Sequence, residues 1–154
     1  MSSSPHFALV GAALTTVLAG CGSPALFPED YRETYTEVRD CRISGDHDLN
    51  RVRVFADPVA LEAYRDRGVE RIPAGGILLK EEYDFGDSDC SGPILGWTVM
   101  QRLEDGEAPA DLDWSWQRTD RDRIDTGADI SRCVSCHEGC GVAPDGFDGT
   151  CAIP

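Results

Sequence analysis

Near its C-terminal end the chain carries Cys133-Val134-Ser135-Cys136-His137, and no other feature restricts its structure so strongly. On a helical turn two thiols three residues apart project to a shared side, and a histidine four residues after the first lies near that face. Such thiols can add to the two vinyl groups of a porphyrin while the imidazole offers a nitrogen to the iron. The run points to one covalently attached c-type haem, bonded through Cys133 and Cys136, with His137 as axial iron ligand. Two other uses stand beside it: a zinc site drawing on Cys133, Cys136, His137 and Cys140, and a redox dithiol of thioredoxin type. Ligands taken only from adjacent residues make poor tetrahedral geometry, and no βαβ pattern surrounds the dithiol, so haem is preferred.

The opposite end reads as an export signal. Met1 to Ala19 holds no charged side chain and contains an apolar run, Phe7 to Val17, too short to cross a bilayer as a helix. Leu18-Ala19-Gly20-Cys21 resembles a bacterial lipobox, in which the cysteine thiol becomes a lipid thioether after cleavage. The segment before the apolar run departs from the usual pattern in lacking Lys and Arg. The expected organisation is a lipoprotein signal peptide over 1–20, a tether over 21–27 and a haem domain over 28–154. The product would be exported and lipid-anchored to a bacterial membrane through Cys21, facing the periplasm or the outside.

A net charge of -14, from 28 acidic against 14 basic residues, repels phosphate backbones and anionic headgroups. Nucleic acid is excluded as a partner, and membrane contact is assigned to the lipid alone. Of seven cysteines, lipid and haem would take three, leaving Cys41, Cys90, Cys140 and Cys151 for disulfides in an oxidising compartment. Of the three pairings, Cys140 with Cys151 is favoured because Gly141, Pro144, Gly146 and Gly149 let the chain turn back. Cys41 with Cys90 then follows by elimination.

Along the chain, Pro28-Glu29-Asp30-Tyr31 suggests a helix start with proline in its first turn. Cys41 to Asn50 is polar and turn-rich, and Val52, Val54 and Phe55 alternate with arginines like a strand. Asp57-Pro58 caps a helix with Val59, Ala63 and Tyr64 on one stripe, closing near Gly68. Ile77 to Phe85 reads as a strand with Leu78, Lys80 and Glu82 on one face and Ile77, Leu79 and Tyr83 on the other. Further strands are expected over Ile94 to Leu103 and around Trp114 and Trp116, and Asp129 caps a short helix bearing Cys133 and Cys136.

The order Tyr31-Arg32-Glu33, Arg51 to Phe55, Ala60 to Tyr64, Gly76-Ile77-Leu78-Leu79-Lys80-Glu81 and then Cys-x-x-Cys-His resembles the cytochrome P-460 family over roughly Phe27 to His137. The resemblance implies a β-rich α+β fold, a curved antiparallel sheet flanked by a few helices, with haem near the C-terminal end and a five-coordinate iron. It also implies that Lys80, at the position of the family's lysine, bonds covalently to the porphyrin, whereas related cytochromes c′-beta share the fold without that bond. A small nitrogen compound, hydroxylamine or nitric oxide, would be bound or oxidised, with electrons passed to a periplasmic acceptor; a homodimer is left open. The chain departs from the family after His137, where a Gly-rich loop replaces an apolar, aromatic-containing tail.

Read without the family, Lys80 packs its stem in an apolar strand and extends its ammonium to water beside Glu81 or Glu82. Met100 and His47 are weighed as a sixth iron ligand, but strand spacing favours core for Met100 and a polar turn favours solvent for His47. Trp114 and Trp116 could wall the haem pocket or fill the sheet core, and core packing is the expectation. Asp145 and Asp148 lack a full calcium loop and are assigned to turn chemistry.

Overall fold

Alternation of apolar residues at a period of two builds a sheet with two covered faces. The computed structural model describes residues 23–66, 71–141 and 146–151; the expected signal, Cys21, Gly68, Pro144 and Asp145 lie outside them. Five strands, β1 (Thr36–Ile43), β2 (Arg51–Ala56), β3 (Ile77–Tyr83), β4 (Gly96–Arg102) and β5 (Trp114–Asp120), pair in chain order, each antiparallel to the next. Three helices accompany them: α1 (Tyr31–Thr34), α2 (Pro58–Asp66) and α3 (Ile130–His137). The protein is α+β, as expected.

Even-numbered residues of the central strands, Ala56, Leu78 and Met100, pack with Ala60, Ala63, Tyr64, Ile72 and Trp114 on one face. Odd-numbered ones, Phe55, Ile77, Leu79, Trp97 and Val99, pack with Phe27 and Tyr31 on the other. The register aligns Lys80 with Val54 on one side and Thr98 on the other, and Met100 with both Leu78 and Trp116. Strand β3 is therefore split between two environments, with Lys80 and Glu82 on the even face and Glu81 and Tyr83 on the odd.

Four expectations change. The polar stretch from Cys41 begins inside β1, an edge strand whose register slips between Glu37 and Arg39 and again between Arg39 and Arg42. Its mixed charges carry no clean period because it is an irregular edge. Helix α1 is a single turn starting at Tyr31, three residues after Pro28. On α2 the buried stripe is Ala60, Ala63 and Tyr64, while Val59 is exposed. The strand expected to reach Phe85 ends at Tyr83, and Phe85 is exposed. Asp57 does cap α2: its Oδ1 accepts from Ala60 N at 2.8 Å and also from Ile77 N at 2.9 Å, tying the helix to β3.

Both expected disulfides form, Cys41–Cys90 and Cys140–Cys151. The second closes a loop packed so tightly that a Cβ on Gly146 would fall 1.7 Å from the Cys140 carbonyl oxygen, so only glycine fits. Asp148 is held by Ile72 N at 2.9 Å and lies 3.7 Å from Arg102 Nε, which accounts for it without calcium.

Candidate functional site

Asp129 accepts from Arg132 N and starts α3, as the sequence predicts, and the helix lays Cys133, Cys136 and His137 along a cleft on the even face of the sheet. Val54, Leu78, Met100 and Trp116 form its apolar wall, and Lys80, Glu82 and Thr98 its polar end. About 1130 Å³ of empty space lies within it, the open mouth included.

His137 is buried, and its Nδ1 lies 2.6 Å from the carbonyl oxygen of Gly149. A carbonyl only accepts, so Nδ1 carries the proton and Nε2 keeps a lone pair, the arrangement a metal-binding imidazole needs. Gly149 reaches this position with φ 76, and its neighbour Asp148 accepts from Trp114 Nε1 at 3.1 Å, which anchors the loop. Burial, then the nearby Lys80 charge, hold the His137 imidazolium down to about 4. Trp116 stands edge-on to the His137 ring at 4.9 Å between centroids. Trp114 is core as expected, but Trp116 is half-buried and walls the cleft.

Cys133 and Cys136 are free thiols, and burial pushes the Cys133 thiol up. Cys140 is bonded to Cys151, which withdraws the fourth donor from the zinc alternative. Among the described residues no three His, Cys, Asp or Glu side chains cluster as a metal site. Two free thiols and a neutral imidazole on one helix, facing an apolar-walled cleft, are the donor set a porphyrin takes, whose iron Nε2 of His137 would hold.

Lys80 is half-buried and turns into the cleft instead of lying beside Glu81. Its Nζ lies inside the cleft 2.9 Å from Nε2 of His47, and desolvation by the surrounding protein lowers it to about 8. His47 is half-buried rather than solvated, and its Nδ1 lies 3.4 Å from both Glu82 Oε1 and Thr98 Oγ1. A carboxylate only accepts, so Nδ1–H points to Glu82 and Nε2 accepts from Nζ. Burial lowers His47. Burial would raise Glu82, but the His47 hydrogen bond and the Arg118 charge outweigh it and hold the carboxyl below its usual range. Glu81 belongs to the other face and is remote from this chemistry. The sequence marks His47 only as a candidate sixth iron ligand and favours solvent for it, because the partners that half-bury it lie 33 and 35 positions away. One signal was available: Lys80 is the sole lysine of the 154 residues.

The buried imidazoles set a pH dependence. Between about 6.5 and 4 an unfolded chain takes up a proton that folded His137 refuses, so stability rises with pH through this window and is lost as acid is added. The loss from His137 is on the order of 3 kcal/mol, with His47 adding in the same direction. Iron at Nε2 leaves the sign unchanged, because metal and proton compete for one lone pair. Urea midpoints should fall between pH 6.5 and 4; a flat profile contradicts the neutral-imidazole assignment.

Compared with known families, the chain matches the model described as Cytochrome P460 over residues 28–143. No curated protein matches it.

Proposed function

Since the chain belongs to the cytochrome P460 family of haem proteins, we propose that it is an exported monohaem c-type cytochrome with an open iron position. It binds or oxidises hydroxylamine or nitric oxide and passes electrons to a periplasmic acceptor, with Cys21 carrying the lipid anchor. The observation that carries this reading is the pairing pattern: four described cysteines are bonded to one another, and the two left free share one helix and one cleft with His137.

When bound, haem supplies an iron that takes the ligand and a conjugated ring that relays electrons. The chain's own part is separable. Cys133 and Cys136 fasten the ring, and His137, oriented by the Gly149 carbonyl, holds the iron through Nε2. Val54, Leu78 and Trp116 exclude water from the walls. Lys80, with part of its population uncharged near neutral pH, brings an amine inside the cleft and is the residue that would bond to the porphyrin. Nδ1–H of His47 and the Glu82 carboxylate give that end a place to hold a proton.

Expression with haem-maturation machinery, absorption spectra and peptide mapping test this. Haem joined to both the Cys133 and the Lys80 segments supports the enzyme; haem on the Cys133 segment alone supports a nitric-oxide binder of cytochrome c′-beta type; a colourless product overturns the cytochrome reading.

A further inference from the structure

One loop brings a histidine to the only lysine in the chain. The loop joins β1 to β2, and Asp48 and Leu49 adopt φ 55 and 62 there, a sharp turn that L residues seldom take unaided. It is held from outside by ionic contacts to two other elements. Asp48 receives Arg118 from β5 and Arg132 from α3, each at 3.2 Å, and Arg132 also donates to the Asp46 carbonyl at 3.1 Å. The loop is thus strapped to the helix that bears Cys133 and Cys136. Its inward side chain is His47, whose Nε2 meets Lys80 Nζ and whose Nδ1 meets Glu82.

We propose that His47 is a positioning residue for Lys80: strapped in place through Asp48 and braced by Glu82, it holds the amine inside the cleft, facing the space the porphyrin would fill. The inference rests on the reading of Lys80 as the amine turned toward the cofactor. Geometry supports it in two ways. A lysine has four rotatable stem bonds and loses much rotamer entropy when fixed, so a side chain that must stay in one place needs a partner. Lys80 has no carboxylate within salt-bridge distance among the described residues, and the imidazole is the one hydrogen-bond partner it shows there. All other cationic side chains are arginines, 13 of them, so any amine chemistry on the folded side chains belongs to this residue.

The test compares wild type, His47→Ala and His47→Gln as full chains matured with haem-attachment machinery and mapped by peptide mass spectrometry. Glutamine retains an acceptor that can reach Nζ. Expected is haem joined to the Lys80 segment in wild type, at least about tenfold less in His47→Ala with attachment at Cys133 and Cys136 intact, and restoration in His47→Gln. An undiminished Lys80 link in His47→Ala overturns the proposal. If His47→Ala also loses the cysteine attachment it has misfolded, and His47→Gln decides: attachment at the cysteines without the Lys80 link overturns the proposal. A wild type bearing no Lys80 link rejects the covalent reading, and reductive methylation of the free amine then judges the positioning. Lys80 should be methylated about tenfold more slowly in wild type than in His47→Ala, and equal rates overturn it.

Discussion

Haem is expected to leave the Cys133→Ala, Cys136→Ala, Lys80→Arg triple variant on denaturing solvent extraction, while it stays with the wild-type chain and, through the Lys80 bond, with the Cys133→Ala, Cys136→Ala double variant. Two thioether bonds survive unfolding, whereas an imidazole–iron bond and van der Waals contact with the cleft walls depend on the fold. The measurement is the haem absorbance of the extracted polypeptide. Single variants keep one bond and should retain pigment. Haem that stays with the double variant and leaves once Lys80→Arg is added places the remaining bond at Lys80. Haem that stays with the triple variant contradicts attachment at all three residues.

The second large effect is on stability and comes from the face away from the cleft. Glu81 is fully buried and accepts from the hydroxyls of Tyr31 and Tyr83 and, at 2.7 Å, from Arg32 Nε. Arg32 also donates to Tyr83 Oη at 2.8 Å, and Trp97 Nε1 donates to Tyr31 Oη at 3.0 Å, so one carboxylate organises four side chains on α1, β3 and β4. Burial, reinforced by Glu81, pushes Tyr31 up to about 12 and raises Tyr83, so both phenols stay protonated as donors. Glu81→Ala leaves two buried hydroxyl protons and the Nε of Arg32 without their acceptor. The expected loss is about 3–5 kcal/mol in denaturant unfolding. Glu81→Gln, which can still accept, should lose less. A change under about 1 kcal/mol in the alanine variant would show that water replaces the carboxylate at no penalty.

These two predictions differ in how far the sequence foretold them. The haem segment was legible because its chemistry is local: the residues act within two turns of one helix, and the capping Asp129 is adjacent. The alternation of β3 likewise separated Leu78, Lys80 and Glu82 from Ile77, Leu79 and Tyr83, since neighbours on a strand must face opposite sides. Glu81 and Glu82 looked interchangeable in the sequence, both acids beside a lysine. The fold makes one the hub of a buried network and the other a wall of the cleft.

His47 shows the same limit from another side. A histidine between aspartates in a turn-rich segment reads as solvated, because local polarity is all the sequence offers there. Its burial is set by Arg118 and Arg132, whose contacts with Asp48 cross 70 and 84 positions. Trp116 does pack against the core of the even face, and its period places it there, but only α3 docking against that face makes it a cleft wall and a neighbour of His137 as well.

What the sequence determined alone is whatever short-range order encodes: the Cys-x-x-Cys-His helix with its cap, the strands with a clean period of two, and the four cysteines that form the two disulfides. What the tertiary structure decided is every relation between distant segments, namely the irregular edge strand β1, the meeting of His47 with Lys80, the tyrosine-bound Glu81 and the carbonyl of Gly149 that sets the His137 tautomer. The division is physical. Periodicity and caps arise from bonds and contacts within a few residues, whereas burial and hydrogen-bond partnership depend on which surfaces the folded chain brings together.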